Sequence, residues 1–234
     1  MDIKEQIIRK IKENRISSTE IADVLGKKGL VKGPKILNRG MHKVGEVAFV
    51  YAYNKSNWEV HEQLHDLEEG KIVYVHPIEC EDKAIFGDLV SKYIMLYKRS
   101  VAIVTNGVMR DAHTLVKENY PIWCTDVSPI GCNNVQNTTQ PDSNLLEELR
   151  SLYHGSIMVC DDSGVVMIKK EHINAEFLKK LDFIELQEDV WFLCMDTHKM
   201  STYEIVCQKQ YLDEESDIIS KTKKEELKSY STAK

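Results

Sequence analysis

The chain has 234 residues, 42% of them hydrophobic, which is enough for one substantial core or two small ones. A net charge of −6 and a pI near 5.8 do not provide the basic surface that nucleic-acid binding requires. No apolar run approaches the roughly 20 residues that cross a bilayer, and the first residues form a charged amphipathic pattern rather than a signal peptide. We therefore expect a cytoplasmic protein that binds neither nucleic acid nor a membrane.

The pattern along the chain predicts short helices that alternate with strands. A helix over 3–14 has isoleucines at helical spacing, and a second helix begins at Ser17, which has capping-box spacing to Glu20. Later helices are predicted over 56–70, 88–97 and 111–118, and strands over 43–53, 71–78, 101–106, 121–127, 156–162 and 164–170. This alternation indicates an α/β domain.

Two stretches do not fit that alternation. Residues 131–144 are rich in Asn, Thr and Gln, which predicts an exposed loop. The last stretch, 213–234, is mostly charged and is either a solvent-exposed helix or a disordered tail.

The cysteine spacing argues against a disulfide framework and against a cysteine zinc site. No two cysteines form a CxxC pair, and most lie in apolar runs such as MVCDD and WFLCM. In a cytosolic protein such cysteines are mostly reduced core residues. The six residues are Cys80, Cys124, Cys132, Cys160, Cys194 and Cys207.

HEQLH matches the H-E-x-x-H pattern, in which two histidines one helical turn apart bind zinc beside a glutamate that acts as general base. The residues that would continue the metzincin pattern are absent, and the alternative is a helix with an aliphatic core stripe and its histidines on a flank. The residues of the zinc-peptidase alternative are His61, Glu62 and His65.

Asp161 and Asp162 could form a carboxylate pair for acid–base work or for a metal ion. They lie between two apolar strands and are followed by Ser163 and Gly164. Asp and Ser are favoured at such turns because their side chains bind the local backbone. We therefore interpret DDSG as a hairpin turn.

Two further segments contain candidate residues for binding a substrate anion or a metal ion. Gly87-Asp88-Leu89-Val90 opens a helix, where free N–H groups bind carboxylates or phosphates, although Asp88 could be a plain N-cap. In VTNGVMRD, Arg110 offers a bidentate fork for a carboxylate, and a single aspartate, Asp111, suits Mg²⁺. The alternative is that Asp111 caps the next helix and Arg110 is solvated. The local chemistry leaves both readings open.

The order of the motifs resembles the RraA-like family, which contains the regulator of ribonuclease activity A and metal-dependent 4-hydroxy-4-methyl-2-oxoglutarate aldolases. The resemblance covers roughly residues 15–195, and its most specific parts are GDL, GVMRD, YPIW and DDSGVV. It implies a compact β/β/α sandwich that resembles a phosphohistidine swivelling domain, with N-terminal helices. We expect this domain to span residues 1–212, followed by the charged tail 213–234, and to assemble as a homotrimer or hexamer with sites at subunit interfaces.

The resemblance also implies a function. In the aldolases the aspartate at the position of Asp111 anchors Mg²⁺ or Mn²⁺, and the arginine at Arg110 binds the substrate carboxylate or keto oxygen. Backbone amides from Gly87 to Val90, with Leu89 between them, hold the carboxylate, and Asp88 positions a water. The implied reaction is C–C cleavage of a small α-keto acid or keto-sugar acid, by retro-aldol cleavage or β-keto acid decarboxylation, through a metal-stabilised pyruvate enolate. Some non-catalytic members of the family lack the Asp after Arg, so its presence here favours a class II lyase over a regulator that binds a protein partner.

Several departures from the aldolase pattern predict an unfamiliar substrate. Twenty-one residues separate Asp88 from Arg110, one more than in the aldolases, and we expect the extra residue in the 97–100 loop. Thr114 and Asn106 stand at positions that are often acidic. The region 130–156 is altered, with an insertion, NLLEELRSLY, and with HGS in place of Pro-Gly-Asp.

Overall fold

The computed structural model describes residues 2–231, which form two compact units that divide between Ile173 and Asn174. The strands are β1 (Lys35–Ile36), β2 (Lys43–Tyr53), β3 (Ile72–Ile78), β4 (Ala102–Thr105), β5 (Val108–Met109), β6 (Ile122–Cys124), β7 (Asp126–Val127), β8 (Ile157–Asp161) and β9 (Gly164–Ile168). The α-helices are α1 (Ile3–Asn14), α2 (Ser18–Val24), α3 (Trp58–His65), α4 (Asp88–Lys92), α5 (Ala112–Lys117), α6 (Ser143–Tyr153), α7 (Ala175–Asp196) and α8 (Lys221–Ser231).

Seven strands of the first unit form one sheet in the order β1-β6-β4-β3-β2-β8-β9. The strands β2, β3, β4 and β6 run parallel, with α3, α4 and α5 in the connections, and the hairpin β8–β9 continues the sheet antiparallel to β2. The segment that leads to β1 also pairs with β9, because Val31 N–H donates to Val165 O at 2.9 Å and Met167 N–H donates to Gly29 O at 2.8 Å. The sheet is therefore almost closed into a barrel.

This architecture confirms the predicted α/β class. The likeness to a phosphohistidine swivelling domain and the domain limit at residue 212 stay predictions. Within residues 2–231 we find no helix that is both long enough and apolar enough to span a bilayer.

The sheet separates two hydrophobic cores, as the period-two alternation of a strand requires. Val73 and Val75 of β3 pack with residues of α3, α4 and α5. Their neighbours Ile72 and Tyr74 face the other way and pack with Trp123 and with the β8–β9 hairpin. The insertion helix α6 belongs to this second side, where the Tyr153 ring lies 4.1 Å from the Tyr74 ring. The parallel strands are covered by a hydrophobic core on each face. Their carboxyl ends therefore reach the surface at the edge of the sheet rather than on its faces.

Most predicted helices and strands are confirmed, with boundary shifts. The strand 43–53 has the predicted bounds, and Ser17 and Glu20 form the full capping box of α2. The helix expected over 56–70 is wrong in length. It begins at Trp58 and ends at His65, because Asp66 leaves the helical conformation well before Gly70. In the region 88–97, α4 continues into a π-helical turn over Tyr93–Tyr97.

The second unit is helical and begins with α7. A π-helical turn (Tyr203–Gln208) and α8 pack with α7 around a small core that includes Val190, Cys194, Tyr211 and Leu227. The charged stretch from residue 213 thus contains a helix, and Leu227 is buried while most of its polar residues are exposed. Residues 232–234 of the predicted tail lie outside the described residues.

The Asp161-Asp162 pair serves the hairpin turn, as predicted from DDSG. Asp161 accepts hydrogen bonds from Ser163 N–H at 2.8 Å and from both the N–H and the hydroxyl of Ser18 at 2.7 Å. One carboxylate therefore closes the hairpin and binds the first turn of α2. Asp162 accepts one hydrogen bond, from Gly40 N–H at 2.9 Å, on the exposed side of the turn.

We expect Asp161→Ala to lower the free energy of unfolding by about 2 kcal/mol, because it removes three hydrogen bonds of roughly 1 kcal/mol each, partly replaced by water. Urea denaturation followed by circular dichroism measures the change. Asp162→Ala is the matched control, with an expected loss of about 0.5 kcal/mol at most. Equal losses in the two variants would contradict the structural role given to Asp161.

Candidate functional site

The candidate site lies beyond the carboxyl ends of the neighbouring parallel strands β3 and β4. The chain that leaves β3 returns beside the chain that leaves β4, because Ile85 N–H donates to Val108 O at 2.8 Å and Arg110 N–H donates to Phe86 O at 3.0 Å. This short ladder brings Gly87-Asp88 against Arg110-Asp111. In open α/β sheets ligands bind at such strand ends.

Asp111 faces Asp88 rather than its own helix. Its backbone is left-handed (φ 59°, ψ 31°), and although it stands at the N-cap position of α5, its side chain makes no capping hydrogen bond. Its Oδ2 instead accepts the Asp88 N–H at 3.0 Å, and its Oδ1 lies 3.5 Å from Arg110 Nε. The plain side-chain cap that the sequence left open is therefore not the arrangement in the structure.

Gly87 makes this contact possible because it has no side chain. A Cβ at this position would lie 2.0 Å from Asp111 Oδ2 and 2.7 Å from Arg110 Cγ. Any other residue would force the carboxylate and the arginine away. Gly87 thus allows the start of α4 to approach the Arg110-Asp111 pair closely.

The side chains of Arg110 and Asp111 are 47% and 39% exposed, so a small ligand reaches both. Asp88 is half-buried, and no side chain or backbone donor of the described chain hydrogen-bonds its carboxylate. Leu89 is 80% exposed, whereas the side chain of Val90 is buried in the core below. The backbone N–H groups of Leu89 and Val90 lie in the first helical turn, where backbone N–H groups lack intrahelical partners.

The family model described as "RraA-like: Aldolase/RraA" matches residues 18–167, which is more than half of the chain. The chain belongs to the RraA-like family. This confirms the resemblance drawn from the motif order, and the matched residues lie within the first compact unit.

Individual relatives are distant. The chain is 24% identical over 182 residues to Protein DlpA of Legionella pneumophila, a match that covers 74% of this chain and only 29% of DlpA. A crystal structure of a protein from Pseudomonas syringae pv. tomato aligns with a TM-score of 0.64 and 20% identity, covering 88% of this chain and 98% of that one. Streptomyces coelicolor RraAS2, described as an unusual member of the RNase ES inhibitor RraA protein family, aligns with a TM-score of 0.61 and 21% identity, covering 78% and 95%. At these identities the solved structures support the fold alone.

The RraA-like aldolases use a divalent metal ion, so the donor set at the site matters. Across residues 2–231, no three His, Cys, Asp or Glu side chains gather to hold a metal ion. Mg²⁺ needs no such cluster, because it keeps several waters and takes one or two carboxylates together with substrate oxygens. Asp111 provides one exposed carboxylate with lone pairs to spare on both oxygens, and Asp88 provides a second carboxylate nearby. The residues fit a hydrated Mg²⁺ or Mn²⁺ ion and do not fit a structural zinc site.

The histidines of HEQLH lie on the exposed flank of α3, as the alternative reading predicts, while Val60 and Leu64 are buried. His65 Nδ1 lies 2.9 Å from Asp66 Oδ1. Both histidines line a cavity of about 300 Å³ whose other walls are Leu64, Leu89, Val90 and Tyr93. The described part of the chain adds no third ligand to this pair, which a zinc peptidase requires.

Asn106 has a structural contact that its sequence position did not reveal. Its Nδ2 donates to Lys32 O at 3.0 Å, which ties the end of β4 to the segment before β1. An aspartate carboxylate, which is common at this position in the aldolases, cannot donate that bond. Thr114 lies in the first turn of α5 and is half-buried.

Sequence reasoning missed Gly131. Its segment was predicted only as an exposed loop, yet a Cβ on Gly131 would lie 2.9 Å from Arg110 Nη1. No local pattern marks such a contact, because it joins residues 21 positions apart. The sequence feature that comes nearest to marking this contact is Gly131 itself, a glycine that no predicted turn requires.

We expect Asn106→Asp to lower the free energy of unfolding by about 1–2 kcal/mol at pH 7, because the new carboxylate faces the Lys32 carbonyl without a proton to donate. The difference from the wild type should shrink below about pH 4, where the introduced carboxyl is protonated and donates again. Urea denaturation of both proteins at pH 7 and pH 3.5 measures it. A difference in free energy of unfolding that stays constant or grows toward low pH would contradict the assigned hydrogen bond.

Proposed function

We propose that this chain is a Mg²⁺- or Mn²⁺-dependent lyase, of the class II aldolase/decarboxylase type, that cleaves a C–C bond of a small α-keto acid or keto-sugar acid. The observation that carries the proposal is the contact of Asp111 with the backbone of Gly87-Asp88, with the Arg110 guanidinium beside it. It would bring a cation ligand, Asp111, and an anion-binding guanidinium, Arg110, together with the Asp88 residue at one edge of the sheet.

Asp111 would hold the metal ion. Its left-handed backbone turns the carboxylate away from α5, and the Asp88 N–H fixes one of its oxygens. When bound, the divalent cation polarises the carbonyl of the keto acid and stabilises negative charge on its oxygen.

Arg110 would bind the substrate carboxylate. Its Nη groups donate to no residue of the described chain, so the fork stays available for a bidentate contact. The N–H groups at Leu89 and Val90 would add two donors to the same anion. Together these groups orient the keto acid and stabilise the negative charge that develops as the C–C bond breaks.

Asp88 would hold the water that moves the proton. Retro-aldol cleavage removes a proton from the hydroxyl group of the leaving fragment and returns one to the carbon of the keto acid. Within residues 2–231 the Asp88 carboxylate has no hydrogen-bond donor, and the backbone N–H of the same residue contacts Asp111. Positioning of a water by such a group is ordinary general acid–base catalysis.

The proposal includes a homotrimer or hexamer in which a neighbouring subunit completes the site. Supporting it, large apolar side chains are exposed beside the site, on α4 and the π-helical turn that follows it. They are Leu89, Tyr93, Leu96 and Tyr97. Sedimentation equilibrium measures the assembly directly.

We expect purified protein with added Mg²⁺ or Mn²⁺ to release pyruvate from a 4-hydroxy-2-oxo acid or from oxaloacetate, in an assay coupled to lactate dehydrogenase. Asp111→Ala should lower kcat/KM by about 100-fold or more, and EDTA should abolish the activity. Arg110→Lys should cost about 10-fold, mainly in KM, because lysine keeps the charge and loses the planar fork.

Asp82→Ala is the matched control, since Asp82 is an exposed aspartate of the same connection and should leave kcat/KM within two-fold, about the scatter of surface substitutions. Activity that survives both EDTA and Asp111→Ala would contradict the assignment of the metal site.

A second candidate is a non-catalytic regulator that binds a protein partner. It is favoured by the fold it shares with RraAS2, described as a member of an RNase ES inhibitor family. Slower RNA cleavage by an RNase E-type enzyme in the presence of this chain, unchanged in Asp111→Ala, together with no pyruvate release across the keto-acid panel, would favour the regulator.

A further inference from the structure

Gly131 lies against the outer part of the Arg110 side chain. A Cβ built on Gly131 would come within 2.9 Å of Arg110 Nη1 and 3.3 Å of Arg110 Cδ. The backbone at Gly87 approaches the inner part of the same side chain, where a Cβ would lie 2.7 Å from Arg110 Cγ. The arginine side chain therefore contacts two stretches of bare backbone.

The backbone at Gly131 is held in place by hydrogen bonds on both sides of it. Ile130 O accepts the Ala84 N–H at 2.9 Å, and Cys132 N–H donates to Ala84 O at 2.8 Å. This bridge attaches residues 130–132 to the chain that continues into Gly87. The two backbone segments that contact Arg110, at Gly87 and at Gly131, thus belong to one hydrogen-bonded unit and cannot move apart independently.

The guanidinium of Arg110 has few other restraints. Its Nε lies 3.5 Å from Asp111 Oδ1, and its Nη groups donate to no residue of the described chain. Contact with the backbone of Gly87 and Gly131 therefore restrains its direction. A long, exposed side chain would otherwise sample many rotamers and lose that entropy on binding a ligand.

We propose that Gly131 is a positioning residue for Arg110: its bare backbone lets the guanidinium lie in one orientation with its Nη groups free for a ligand carboxylate. The ligand part of this inference rests on the proposed keto-acid lyase. The positioning part rests only on the contacts between Gly131, Gly87 and Arg110.

Gly131→Ala is a selective probe of this contact. The backbone of Gly131 is not in the left-handed region, so alanine fits its conformation, and the new Cβ makes only an ordinary 3.7 Å contact with Ala84 O. The new Cβ would clash only with the far end of the Arg110 side chain, which is flexible and can move at little cost to folding stability. Gly87→Ala would be far less selective, since its Cβ would also strike the Asp111 carboxylate.

The first measurement is the Arg110 Nε–Hε resonance in ¹⁵N-labelled protein, assigned by its loss in Arg110→Lys. We expect Gly131→Ala to shift this resonance while the backbone amide spectrum outside residues 84–88, 107–111 and 128–133 keeps its wild-type positions. Ile130→Ala is the control, because the exposed Ile130 side chain adjoins Gly131 in the chain and should leave the resonance in place. An Arg110 resonance unchanged in Gly131→Ala would overturn the proposal.

The second measurement is calorimetric binding of oxalate in the presence of Mg²⁺, arranged as a double-mutant cycle. We expect Gly131→Ala to weaken oxalate binding by about 10-fold, the scale of one charge-assisted hydrogen bond, in the Arg110 protein. In the Arg110→Ala background the same change should have no effect. Gly131 would have no positioning role toward a ligand if Gly131→Ala lowered oxalate affinity equally in the wild-type and Arg110→Ala backgrounds. The same conclusion would follow if Gly131→Ala alone kept the wild-type affinity.

The two measurements separate this inference from the proposed function. If the wild-type protein binds no oxalate and releases no pyruvate, the lyase proposal fails and the role of Gly131 toward a ligand fails with it. The resonance still decides whether Gly131 sets the orientation of Arg110.

Discussion

The site depends on two backbone hydrogen bonds, from Ile85 to Val108 and from Arg110 to Phe86. They join the connection that follows β3 to the connection that follows β4, just beyond the sheet. Parallel strands bring their carboxyl ends to the same edge, and this ladder sets the register between the two connections. A shift by one residue would move Gly87 away from Asp111, and another residue would meet the carboxylate with its side chain.

The left-handed backbone of Asp111 follows from the same ladder. The chain must leave the ladder at Arg110 and enter α5 at Ala112, and the turn between them falls on one residue. Asp tolerates this conformation better than most residues do, because its short side chain finds local hydrogen bonds. Here the side chain instead accepts a hydrogen bond from the N–H of Asp88, which is distant in sequence, so the left-handed turn and the contact between the two motifs support each other.

Features set by local sequence were predictable, whereas features set by packing were not. The capping box of α2, the DDSG hairpin and the strand 43–53 depend on neighbours in sequence. The pairing of GDL with GVMRD came from the family resemblance, since local chemistry could not choose between a cap and a metal site. Gly131 and the Asn106 hydrogen bond depend on distant segments, so no window of the sequence contains them.

An extra residue between Asp88 and Arg110, relative to the aldolase pattern, stays a prediction. Beside the 97–100 loop in which we expect it, Tyr93–Tyr97 forms a π-helical turn closed by a hydrogen bond from Lys98 N–H to Tyr93 O. Each π-turn holds one residue more than an α-turn. An additional residue within this π-helical turn would leave both ends of the segment between Gly87 and Arg110 in place. The Tyr93, Leu96 and Tyr97 side chains of this turn are exposed, so a change in its length would alter the exposed face beside the site rather than the contact between Gly87 and Asp111.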